Sequence, residues 1–315
     1  MGEAHMDEAQ TKALPPAPVR TGPLRPKVVR RTQSLVGRTA RQAPVLKHYP
    51  FAKVRASLAA RRLRADFEQV RSYVMFVGHP RSGHSLVGAL LDAHPDAIVA
   101  HELDALKYLE AGFDRDQLYA MLVTHQRERV AGGMKSSWGY TYAVPTGWQG
   151  RYRTLQVIGD KKGGRSTARL AEQPGLLDQL TATVGVPVRI IHVVRNPLDN
   201  IATMHRWAGR PLEDHVDSYF ERAATVTWVQ QQVPPECFHE LTLEDLTADP
   251  ATALTDLVRF LGLAAWGEHL ETVASVVFPS ARRTRDTAPW TPELQRRVAE
   301  ESAAHPALAR YGLQG

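Results

Sequence analysis

Cysteine is nearly absent: Cys237 stands alone among 315 residues, so the chain closes no internal disulfide. A fold without covalent cross-links suits a reducing compartment, and a cytoplasmic location is expected. Long apolar runs are missing too. No stretch approaches the roughly 20 residues that a membrane-spanning helix needs, and no secretory leader pattern opens the sequence. Lysine is scarce, at 8 against 31 arginines, and this bias carries no function of its own. The 13 histidines are scattered without metal-ligand spacing, so no metal is expected. The rest is ordinary for an enzyme-sized core, with 43% hydrophobic and 23% charged residues.

Charge is unevenly spread. Residues 1–72 carry 15 Lys/Arg and 5 Asp/Glu, whereas the remaining 243 carry 24 and 28. The net charge of +6 therefore belongs to a basic extension in front of a mildly acidic body, and nucleic acid is not an expected partner. Residues 1–47 hold scattered prolines and little apolar periodicity, and read as a disordered basic extension. Over 48–71, Phe51, Val54, Leu58, Leu63 and Phe67 fall near helical spacing with arginines between them. That is a basic amphipathic helix, which either packs on the body or makes a peripheral membrane contact.

From residue 72 to 315 the pattern alternates. Strands are expected at 73–78, 97–100, 154–159, 189–194 and 237–241. Helices are expected at 83–93, 103–110, 115–130, 175–184, 197–207, 212–232, 251–261 and 291–305. Alternation of this kind predicts one α/β domain: a P-loop-like three-layer fold with a central, mainly parallel sheet flanked by helices. Ligands of such sheets bind at the carboxyl ends of the strands.

At the first of these ends stands VMFVGHPRSGHSLVGALLDAHP, residues 74–95. An apolar run, a glycine-bounded loop and an amphipathic run present backbone N–H groups and a helix N-terminus to an anion. The spacing is that of G-x-x-x-x-G-K-[ST], but His84 occupies the lysine position. ATP chemistry usually also asks for a magnesium-binding carboxylate after a second apolar strand. Here that strand, RIIHVV, ends in Arg195. A second cation there invites a second anion.

The pair GHPRSGHSLVGALLDAHP and RIIHVVRNPLDNIAT resembles the motifs of sulfotransferases that use 3′-phosphoadenosine 5′-phosphosulfate (PAPS). The similarity runs from about residue 72 to the C-terminus and includes LTLEDLTADPATALTDLVRFLGL, to which no chemistry is assigned. It implies that Arg81, Ser82, Gly83, His84 and Ser85 hold the 5′-phosphosulfate, and that Arg195 and Thr203 hold the 3′-phosphate. Thr203 stands where the family usually has serine, and His84 where it has serine or threonine. His84 either donates to a sulfonate oxygen or fills space. Asp199 braces the second motif, since a carboxylate would repel phosphate.

Sulfuryl transfer needs a base for the acceptor proton and a cation for charge on the leaving oxygen. In AHELDAL, Glu102 resembles in its placement the catalytic glutamate of tyrosylprotein and related bacterial sulfotransferases; its other reading is a cap on a helix beginning at 103. His101 is the rival base, and strand alternation would let only one of the two face the acceptor. Lys161, in VIGDKKGG, resembles a lysine that approaches the phosphosulfate, with Lys162 beside it.

The resemblance thus implies a PAPS-dependent transferase acting on a hydroxyl, or less readily an amine, of a glycan, glycolipid or small molecule. Trp138, Tyr140, Tyr142, Trp148 and Tyr152 offer an acceptor platform or cover the core edge; Arg151 and Arg153 would favour an anionic acceptor. Arg282, Arg283 and Arg285 are either phosphate ligands or a solvated loop. The competing readings are a P-loop kinase or NTPase and a non-catalytic phosphonucleotide-binding scaffold.

Overall fold

This computed structural model describes residues 49–134 and 141–312. The 1–47 extension, Trp138 and Tyr140 lie outside the described residues. Five strands form one sheet in the order β2-β3-β1-β4-β5, where β1 is Ser72–Val77, β2 Ala97–His101, β3 Val157–Lys161, β4 Val188–Val194 and β5 Phe238–Thr242. Every pairing is parallel. Short β-branched runs produce this sheet, because parallel strands are buried on both faces. In β1 all six residues are buried.

Alternate residues of β1 feed two cores. Tyr73, Met75 and Val77 join one core with residues of α1 (Tyr49–Phe67) and α4 (Arg115–Ala131); Val74 and Phe76 join the other with α2 (His84–Asp92). The first face is completed by α3 (Ala105–Glu110), α5 (Gly164–Glu172), α6 (Leu176–Val184) and α8 (Leu212–Gln232). The second is completed by α9 (Leu243–Ala248), α10 (Pro250–Leu261) and α11 (Leu270–Ala274). A third cluster gathers β4's last residue, Val194, with α7 (Pro197–Ala208), α8 and α12 (Pro292–Ala303). This is the three-layer P-loop-like architecture expected. Helix α1 lies on α4 through Ala56, Ala60 and Phe67, leaving Phe51, Val54 and Leu58 exposed.

Two departures from the expected pattern shape the cleft at the strand tips. The third strand begins and ends later than the sequence pattern suggests, so Lys161 is a strand residue paired with His101. Helix α5, which has only Leu170 as a large apolar residue, was not expected.

Sheet closure around β1 depends on Gly159, where a Cβ would sit 1.9 Å from the Val74 carbonyl oxygen. Gly159→Ala must push β1 and β3 apart. It is expected to cost about 3 kcal/mol or more, in the range of severe core lesions. Thermal unfolding measures it, and a melting temperature within about 2 °C of wild type would contradict this reading of the β1–β3 contact.

Candidate active site

The loop after β1 is built by backbone conformations that side chains would obstruct. Gly78 has φ 124°, and a Cβ there would meet the His192 ring at 2.8 Å; Gly83 has φ 106° and lies against Leu243. Gly78 N–H donates to Thr167 Oγ1 at 2.8 Å, so the unexpected helix α5 holds the loop in place. Ser82 Oγ donates to the His79 carbonyl at 2.9 Å. Arg81, at φ 70°, carries its guanidinium 5.3 Å from the Trp207 ring centre.

His84 does not reach forward as a P-loop lysine does. Its ring is buried and its Nε2–H donates to the Val77 carbonyl at 2.9 Å. Nδ1 lies 3.3 Å from Ser82 Oγ. Burial foremost, and then the charge of Lys161, lower its pKa to about 3, so the imidazole is neutral. Gly163 gives it room, because a Cβ there would stand 2.5 Å from Nδ1.

A lysine from the neighbouring strand enters instead. Lys161 crosses α2 over Gly88, where a Cβ would lie 2.7 Å from the lysine Cγ. Its Nζ donates to Ser85 Oγ at 2.9 Å and to Glu102 Oε1 at 2.5 Å, while Lys162 Nζ reaches Glu102 Oε2 at 2.5 Å. The Lys161 side chain is 2% exposed and that of Glu102 42%. Burial would raise the Glu102 pKa, but the two lysines override it and hold the carboxyl down at about 2.

Glu102 does not cap a helix. It sits at φ 67° and Asp104 at φ 66°, and α3 begins only at Ala105. The turn is held by buried Asp160, whose carboxylate accepts from Leu103 N–H at 3.1 Å and Ala105 N–H at 2.8 Å. This break in strand alternation brings both His101 and Glu102 to the same cavity, where one alone was expected. Burial, then Lys161, push His101 down to about 3, so it too is neutral.

Arg195 follows β4 and is 6% exposed. Its Nη1 donates to the Arg81 carbonyl at 3.3 Å and to Thr203 Oγ1 at 3.1 Å. Its Nη2 donates to the Arg282 carbonyl at 2.5 Å and to Thr284 Oγ1 at 3.1 Å. These partners are all neutral, and burial lowers the pKa of the guanidinium. Asp199 is engaged elsewhere: it accepts from the Thr284 and Arg285 N–H groups, both at 2.7 Å, and pairs with the Arg285 side chain at 2.5 Å. The carboxylate thereby straps the 282–285 segment over Arg195. Only Arg285 of that basic run is spent on it.

One cavity of about 1150 Å³ joins these parts. That exceeds the roughly 300–1,000 Å³ of ordinary ligand pockets, leaving room for two substrates at once. Eight Lys/Arg side chains line it, with Glu102 as the single carboxylate among the described residues. Tyr142 lines it too. Arg153 instead pairs with Asp96, Arg151 lies over Trp148, and Tyr152 donates to Asp66, all apart from the lining. Thr284 belongs to the 282–285 run named above, whereas Arg129, Trp207 and Phe278 on the wall are residues not singled out in the sequence. They belong to no motif, and only long-range packing brings them in.

A family model described as "Sulfotransferase family" matches residues 187–268. No curated protein matches the chain significantly. Among solved structures, the chain is similar to the sulfotransferase domain of the Synechococcus PCC 7002 olefin synthase at 17% identity. That alignment covers 71% of this chain and 82% of that one, with a TM-score of 0.44. It is also similar to sulfotransferase STF9 of Mycobacterium avium, at 12% identity, 86% coverage of both chains and a TM-score of 0.46. Mouse sulfotransferase SULT7A1, complexed with PAP, aligns at 12% identity over 75% of this chain and 84% of its own, with a TM-score of 0.39. The matched segment holds β4, Arg195 and the helices after it, and over that stretch the chain is similar to the sulfotransferase family.

Proposed function

We propose that the protein transfers the sulfuryl group of PAPS to a hydroxyl acceptor and releases adenosine 3′,5′-bisphosphate (PAP). The observation that carries this reading is the single cavity in which the β1 loop and Arg195 meet, linked by the bond from Arg195 to the Arg81 carbonyl. A nucleotide with separated anionic ends can span the two, and the one carboxylate in the lining, Glu102, is held by Lys161 and Lys162. The N–H groups of the loop, with Arg81, Ser82, Gly83 and Ser85, would hold the 5′-phosphosulfate. Arg195, Thr203 and Thr284 would take the 3′-phosphate.

In transfer, the acceptor oxygen forms a bond to sulfur as the bond from sulfur to the phosphate oxygen breaks. The acceptor proton passes to Glu102, and the electron pair leaves with PAP beside Lys161. The dianionic end of the donor competes with Glu102 for Lys161 and Lys162, and so restores basicity to the carboxylate. His84 braces the loop as a neutral donor to Val77. An acceptor that is a glycan, a glycolipid or another small hydroxyl compound fits the same cavity. The exposed Phe51, Val54 and Leu58 of α1, flanked by Arg55 and Arg62, would suit a peripheral contact with an anionic bilayer. Co-sedimentation with phosphatidylglycerol vesicles, lost in Phe51→Ser/Leu58→Ser, tests that contact.

The transferase reading is tested by incubation with sulfur-labelled PAPS and a panel of hydroxyl acceptors, following PAP release and labelled product. PAP binding without transfer to any acceptor returns the scaffold reading. Magnesium-dependent release of ADP from ATP, with no PAP binding, returns the kinase reading.

A further inference from the structure

The cations of the cavity fall into two groups, and one group lies at the Glu102 end, away from the proposed 3′-phosphate site. Arg195 follows β4, whereas Arg129 stands on α4, which packs on β2. Three strand spacings separate β4 from β2 in the sheet, about 14 Å. Arg129 shares a small recess with His101, Tyr142 and Lys161, at the Glu102 end of the cavity.

Its surroundings leave its charge unanswered. Arg129 Nε is buried and has no hydrogen-bond partner among the described residues. The nearest negative charge acting on it is Glu102, both of whose oxygens are held by lysines. Burying the Nε–H without a partner is costly, while the rest of the half-buried guanidinium stays open to the cavity. A ligand anion would supply what the chain withholds, and the planar fork suits a carboxylate or sulfate held by two bonds.

Resting on the sulfuryl-transfer reading, we propose that Arg129 anchors an anionic group of the acceptor. The substrate class is then a hydroxyl compound that also bears a carboxylate or sulfate, its hydroxyl facing Glu102 and its anion facing α4. The neutral ring of His101 and the Tyr142 side chain line the space between.

The test uses PAP-saturated protein titrated calorimetrically with two matched pairs: glucuronate against glucose, and para-hydroxybenzoate against para-hydroxybenzyl alcohol. At least one acid is expected to bind about tenfold or more tightly than its neutral partner, the worth of one charge-assisted hydrogen bond. That preference is expected to vanish in Arg129→Gln and Arg129→Met, with PAP affinity and melting temperature unchanged or the latter raised. The proposal is overturned if neither acid is preferred, if the preference survives the substitutions, if PAP affinity falls with them, or if they lower the melting temperature. Failure of the wild type to bind PAP defeats the transferase reading itself and this one with it; the other failures leave that reading standing.

Discussion

Glu102→Gln is expected to lower turnover by about 10²- to 10⁴-fold, the usual worth of a general base. The substitution keeps the shape and removes both the proton acceptor and the partner of Lys161 and Lys162. Donor affinity therefore stays level or rises, because two ammonium groups are freed to meet the phosphosulfate. Single-turnover kinetics with PAPS, alongside PAP calorimetry, separates the two effects. Near-normal turnover would transfer the role to His101. The pH profile gives a second reading. A base must be deprotonated to act, so rate falls as pH drops through its pKa. With Glu102 held at about 2 and His101 at about 3, neither changes charge between pH 5 and 8 in the free protein. The kcat/KM profile should show no acid limb from either group in that window. Once the donor draws the lysines away, the acid limb of kcat should move to higher pH. A limb in kcat/KM near pH 6.5 that disappears in His101→Asn would contradict the assignment.

Arg195→Ala should weaken PAP binding by between about 30- and 4,000-fold, the range for truncating a buried, hydrogen-bonded charge. The same change deletes four hydrogen bonds that join the β1 loop, α7 and the 282–285 segment. It also removes a buried cation that has no ion pair among the described residues, and this relief offsets much of the lost bonding. The melting temperature is accordingly expected to move by only a few degrees. Arg195→Lys keeps the charge but not the fork, and should fall between the two. Calorimetry with PAP and circular dichroism decide the matter; unchanged PAP affinity would refute the role.

The sheet was legible because its strands are short, β-branched and bounded by loops. RIIHVV and VMFV could be little else, and both proved to be buried strands beside one another. The charged pair Asp160-Lys161 misled the reading of β3, since charge usually marks a strand's end. Here Asp160 is buried and holds the Glu102 turn while Lys161 enters the cavity, so the strand runs on past Gly159. Helix α5 was missed because it has one large apolar residue, Leu170, and is held by other contacts: Thr167 on Gly78, and Gly164 against Pro80. Arg129 could not be found from local sequence at all. It reaches the cavity from α4, and no neighbour in sequence hints at that meeting.

The strap of residues 282–285 has a consequence for how the protein comes into being. Everything that Arg195 needs, apart from the Arg282 carbonyl and the Thr284 hydroxyl, is synthesised before residue 204. A nascent or proteolytically clipped chain lacking the last few dozen residues would thus possess the whole sheet and an unfinished nucleotide seat. Occupancy by PAP would report that the far end of the polypeptide has docked.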